Sequence, residues 1–90
     1  MALTFQRSPT ILATDMDGDL VMMNIERGEY VGLKGIGPRL WALLEQPGSV
    51  DDLVAVVTRE YEIDDATCRR DIQGFLDQMI AKGMVLECAA

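Results

Sequence analysis

Ninety residues leave room for one domain and one core, and a chain of this size buries only about 60–65% of its unfolded surface. Apolar residues make up 49% and charged residues 26%, as in ordinary soluble domains, and no apolar run approaches the roughly 20 residues needed to span a bilayer. Fifteen acids against eight bases, a net charge of −7, disfavour a nucleic-acid partner, and the lack of any histidine removes the commonest general base, the Ser-His and Cys-His nucleophile pairs and most zinc sites.

Residues 1–9, ending in Ser8-Pro9, lack the apolar stretch of a secretory signal and read as a short arm; a cytoplasmic location is the expectation. Thr10-Ile11-Leu12-Ala13-Thr14 reads as a first strand. Asp15-Met16-Asp17-Gly18-Asp19 is a turn, with Asp-Gly its sharpest signal. The three acids there do not belong to a twelve-residue loop ending in Glu, so no calcium or other metal site is expected. Leu20-Val21-Met22-Met23-Asn24-Ile25 is a second strand, and Glu26-Arg27-Gly28 a three-residue hairpin loop. Gly28 suits its closing left-handed position, whereas a two-residue loop forces Arg27 to positive φ. That loop length sets the register: Ile25 faces Glu29, Met23 faces Val31 and Val21 faces Leu33. Alternation then buries Val21, Met23, Ile25, Val31 and Leu33 and turns Leu20, Met22, Asn24, Tyr30 and Gly32 outward.

Glu29-Tyr30-Val31-Gly32-Leu33-Lys34 is the third strand and the last before the chain turns helical. Pro38 suits the first turn of a helix that carries Ile36, Leu40, Leu43 and Leu44 on one side and ends at Pro47-Gly48. Ser49 caps a second helix with Asp51 and Asp52 in its first turn and an apolar stripe of Leu53, Val54, Val57 and Tyr61. Asp64 caps the third and longest helix, which runs from Asp65 to about Lys82 with Cys68, Ile72, Phe75, Leu76 and Met79 at helical spacing. Gly83 stops it, and Met84-Val85-Leu86-Glu87 is a short apolar end, a strand or a strap across the core. Residues 88–90 are a tail. Cys68 and Cys88 have no metal-ligand spacing and read as bystander thiols. The six methionines read as core filling and Trp41 as core.

The order of elements is α+β: an N-terminal three-stranded antiparallel sheet followed by three helices, which suggests a winged helix-turn-helix. The free edge of residues 29–34 is the candidate working surface. Exposed edges attract further strands and are usually blunted by proline, inward charge or a bulge. Glu29 and Lys34 guard only the ends, and Gly32 leaves the middle open. The edge is either unused or a place where a peptide adds as an extra strand.

Taken together, Asp17-Gly18-Asp19-Leu20-Val21, Tyr30-Val31-Gly32-Leu33 and Gly37-Pro38-Arg39-Leu40-Trp41-Ala42-Leu43-Leu44 resemble the PqqD-like family. The stretches Asp52-Leu53-Val54, Tyr61-Glu62-Ile63-Asp64, Asp71-Ile72-Gln73-Gly74-Phe75-Leu76 and Lys82-Gly83-Met84-Val85 extend the resemblance over residues 10–87. It implies a stand-alone recognition element, without catalysis or cofactor. Such an element binds the leader of a ribosomally made precursor peptide as a strand on the third strand, beside the third helix. It presents that leader to a modifying enzyme. Lasso peptide biosynthesis, with a leader peptidase as partner, is the favoured pathway, and pyrroloquinoline quinone and other peptide pathways stay open. The family often carries Asn or Asp where this chain has Lys34. Lysine cannot cap a helix N-terminus, which leaves Lys34 free at the end of the groove to meet an acidic leader residue.

Backbone pairing alone is too weak for such a site. About five hydrogen bonds at a net ~1 kcal/mol each supply roughly 5 kcal/mol. Micromolar binding needs about 8 kcal/mol, before the cost of ordering the peptide. Apolar anchors of about 1.5–3 kcal/mol apiece close the gap. The flank of the third helix with Arg69, Ile72, Gln73, Leu76 and Ile80 is therefore the expected groove wall. The expected peptide contacts are residues 29–34 with Arg69, Ile72, Gln73 and Leu76. Arg69 and Arg70 are either solvated charge or partners for leader carboxylates. The competing function is a winged-helix DNA-binding regulator that reads the major groove with the third helix, against which the net charge counts.

Overall fold

The computed structural model describes residues 3–17 and 19–89; Met1, Ala2, Ala90 and Gly18, half of the expected Asp-Gly turn, lie outside the described residues. The elements follow in the order β1 (Leu3–Arg7), β2 (Ile11–Met16), β3 (Asp19–Asn24), β4 (Glu29–Leu33), α1 (Gly37–Leu43), α2 (Val50–Glu60), α3 (Asp65–Ala81) and β5 (Val85–Ala89). The fold is α+β. A three-stranded antiparallel sheet runs β2-β3-β4, and a separate two-stranded sheet joins β1 to β5. No helix among the described residues is long and apolar enough to cross a membrane.

The second sheet adds to the expected single one. The stretch read as an arm pairs antiparallel with the apolar end, from Leu3 opposite Ala89 to Arg7 opposite Val85. Phe5 and Val85 are buried. Phe5 also exchanges backbone hydrogen bonds of 2.8 and 3.0 Å with Gly48, which ties this sheet to the turn before α2.

The β3–β4 hairpin corrects the expected register by one residue. Four residues, 25–28, close it, with Asn24 opposite Glu29, Met22 opposite Val31 and Leu20 opposite Leu33. A slip of one exchanges the faces of a strand. Met22 and Asn24 are therefore buried, whereas Ile25 is 59% exposed in the loop; Val21 and Met23 are half-buried rather than core. The faces of β4 are unaffected: Val31 and Leu33 point inward and Tyr30 is 69% exposed.

Asn24 is the physical reason for the shift. Its side-chain oxygen accepts a hydrogen bond from the Arg27 backbone N–H at 3.3 Å, which shapes the loop. Its amide nitrogen donates to the carbonyls of Lys82 and Gly83 at 3.2 and 3.3 Å, where α3 ends. A buried polar group is tolerated when it is hydrogen-bonded. Arg27 adds a bond of 3.0 Å to the Ala81 carbonyl. The left-handed Gly28 (φ +65°) closes the loop as expected.

α2 and α3 begin at their expected caps. Ser49 and Asp52 form a reciprocal capping box at α2, at 3.1 and 3.0 Å. Asp64 accepts from the Thr67 backbone N–H at 3.0 Å at α3. That bond, above all, holds the Asp64 carboxyl below the usual carboxylate range. α1 starts with proline in its first turn and no side-chain cap. The core gathers Leu40, Trp41 and Leu44 from around α1 with Leu53, Val54 and Val57 of α2. Cys68, Ile72, Leu76 and Met79 of α3 complete it. Both cysteines are unpaired, and burial pushes the Cys68 thiol up.

Asn24→Ala leaves two helix-end carbonyls and a loop N–H without partners and should lower the unfolding free energy by roughly 2–3 kcal/mol in urea titration. A loss under about 0.5 kcal/mol would show that the hairpin does not depend on it. Because folding depresses the Asp64 pKa, its stabilisation is complete above the unfolded value of about 3.9 and is lost as pH falls through the folded value. Asp64→Asn keeps an acceptor without that titration, so wild type should lose stability relative to the variant below about pH 4. Parallel acid profiles of the two would contradict this.

Candidate peptide-binding edge and groove

β3 occupies one edge of β4, and among the described residues no strand occupies the other. An antiparallel ladder uses the N–H and C=O of alternate residues on each side, so the free edge presents a row of donors and acceptors. Gly32 leaves this row uncovered: a Cβ placed there meets nothing within 4 Å. At one end Glu29 is half-buried and pairs with Arg27 at 3.7 Å, and its Oε2 is buried without a hydrogen bond. At the other end Lys34 is exposed and stands 3.9 Å from Asp19, a separation worth little in water.

Beside this edge lies a groove of about 470 Å³. Gly32, Leu33 and Lys34 supply one wall, and Ile36, Gly37 and Leu40 its end. Arg70, Asp71, Gly74, Phe75 and Gln78 of α3 form the facing wall. The lining combines an apolar interior of Leu33, Ile36, Leu40 and Phe75 with a polar rim, a composition suited to an amphipathic strand.

The structure separates the residues expected to form this wall. Ile72 and Leu76 are fully buried in the core. Arg69 turns away to Asp51 at the start of α2, at 2.6 Å, with Asp65 at 3.6 Å. The hydrogen bond to Asp51 is the main reason its pKa is raised. Gln73 bonds to Asp77 at 3.0 Å and lines a different cleft, with Leu3, Phe5 and Val50. Ile80 is half-buried against the core. Arg70, the second base of the pair, does reach the groove, 3.8 Å from Asp71. As a reading helix for DNA, α3 thus has one of its two adjacent arginines already matched by carboxylates.

Helical spacing identified the buried stripe of α3 but not which of its two flanks faces β4. That choice depends on how the helix lies across the sheet. One local signal was available: Phe75, counted with the stripe, lies at its margin and is only partly buried. A large aromatic residue beside Gly74 marks the flank that opens on the groove.

The sequence profile of the family described as coenzyme PQQ synthesis protein D (PqqD) matches residues 19–85. The chain is also similar to a solved structure described as "TbiB1 in Complex with the TbiA(beta) Leader Peptide", at 29% identity and a TM-score of 0.80, covering 89% of this chain and 93% of that one. A second, "Lasso peptide synthetase B1 complexed with the leader peptide", is 27% identical with a TM-score of 0.78, covering 91% of this chain and 96% of the other. No curated protein matches the chain.

Proposed function

This chain belongs to the PqqD family, and from that premise we propose that it binds the leader of a ribosomally made precursor peptide by adding it as a strand to β4. The observation that carries the reading is the unpaired β4 edge lying along a groove with an apolar interior. Support comes from two solved structures that match about nine-tenths of this chain and are described as holding leader peptides. The leader's backbone pairs along residues 29–34 with the alternate amides and carbonyls that face the free edge, those of Gly32 among them, while Val31 and Leu33, one residue to either side, pair with β3 and bury their side chains in the core. Its inward side chains meet Phe75, Ile36 and Leu33. Ile72 and Leu76 hold that wall from behind, while Arg69 and Gln73 lie on the other flank of α3 and make no contact.

The chain acts without catalysis: it fixes the leader and so raises the local concentration of the attached core peptide at a partner enzyme. Among pathways, lasso peptide biosynthesis is favoured, in keeping with the description of the second structural relative, and a leader peptidase is the partner that the family resemblance suggests. The architecture is read as a winged helix-turn-helix. α2 and α3 are the packed helix pair, joined by residues 61–64, and the β3–β4 hairpin is the wing.

The test uses the leader peptide of a precursor encoded beside this chain, with affinity measured by fluorescence anisotropy. Gly32→Pro should abolish binding while circular dichroism and the thermal midpoint report a folded domain. N-methylation along the peptide backbone should weaken binding at every second position, because only alternate amides face the edge. Full affinity in both experiments would sink strand addition. Leu76→Asp is no test of the groove, since a buried charge in the core unfolds the domain. Phe75→Asp is the informative change: it should weaken binding by about tenfold to a hundredfold, with Arg69→Ala as the indifferent control.

A further inference from the structure

Gly74 lies inside α3, one turn after Arg70 and one turn before Gln78, on the helix face that lines the groove. Glycine is a poor residue for a helix interior, because it adds no side-chain contact and loses the most backbone freedom on folding. The fold does not require it here. Its φ is not left-handed, and a Cβ placed on it meets no atom within 4 Å. Gly83 is the contrast: at φ +70°, with Arg27 Nη1 2.9 Å from where a Cβ would stand, it admits no other residue without rearrangement.

Open space at Gly74 belongs to the groove. The missing side chain leaves a notch, with Phe75 beside it and Leu33 and Ile36 among the other apolar lining. Phe75 and Ile36 are each only partly buried, so an apolar group seated there removes both from water. A strand added to β4 points every second side chain toward α3. We propose that Gly74 is a specificity-determining position, whose absent side chain seats one large apolar side chain of the added strand. This inference rests on the strand-addition reading and names the residue class that reading leaves open.

The test selects dodecapeptides from a displayed random library on the wild-type chain and measures their affinity for variants. Selected peptides that bind through β4, recognised by their loss on Gly32→Pro, should carry a large apolar residue at one fixed position. Gly74→Leu should weaken them about tenfold to a hundredfold. Replacing the peptide's apolar residue by alanine should remove most of the difference between wild type and Gly74→Leu. Gly74→Ala should meanwhile raise the unfolding midpoint of the free chain by roughly 4–8 °C, since alanine suits the helix and nothing there opposes it. Peptides that need Gly32 yet bind Gly74→Leu as tightly as wild type overturn the notch and leave strand addition standing. Peptides indifferent to both substitutions overturn strand addition and the notch together.

Discussion

The geometry of the site depends on one buried amide. Asn24 ends β3 and reaches across to the last carbonyls of α3 while its oxygen shapes the loop into β4. Both the depth of the hairpin and the separation of β4 from α3 are set at this point. A purely apolar residue here fills the same volume without specifying how far along the helix the hairpin sits. Hydrogen bonds have direction and a narrow range of length, so a polar contact in an otherwise apolar core fixes position as well as adding stability. This contact fastens the hairpin to the end of α3, and the groove between β4 and α3 is lined in addition by Ile36, Gly37 and Leu40 from around the start of α1.

Features governed by neighbours in sequence were readable before the structure. Ser49 and Asp64 announce the starts of α2 and α3 because a cap acts on amides two or three residues away. The two faces of β4 and the buried stripe of α3 follow from alternation and helical period. Features governed by distant partners were not readable. Asn24 looked like an outward residue because the carbonyls that satisfy it lie 58 and 59 residues later. The pairing of β1 with β5 joins opposite ends of the described chain, with no turn between them to reveal it. Which flank of α3 lines the cleft beside β4 was not readable either: Arg69 and Gln73 share the buried stripe's spacing with Arg70 and Gly74, and only packing sets them on opposite sides.

Charge is spread over the molecule in a way that suits a binding edge. Most arginines are already matched: Arg39 holds Glu60 with two bonds of 2.9 and 2.8 Å, and Arg69 holds Asp51. Such exposed pairs add little stability, but they leave an acidic surface with few unmatched bases. Lys34 and Arg70, at the rim of the groove, stand 3.9 Å from Asp19 and 3.8 Å from Asp71, ion pairs of long separation at exposed side chains. A ligand carboxylate competes easily with partners at that separation.

The pairing of β1 with β5 also bears on how the chain is made. Synthesis delivers β1 first and β5 last, so Phe5 waits for Val85 and its neighbours before its sheet can close. Every element of the β4 groove has already left the ribosome by then. Completion of the small sheet is thus a late, long-range step laid over a hairpin and helices whose contacts are mostly nearer in sequence. Loss of β1 or β5 unpairs the other, so a chain in which one of them is missing or not yet made keeps its groove elements but lacks the small sheet that buries Phe5 and Val85.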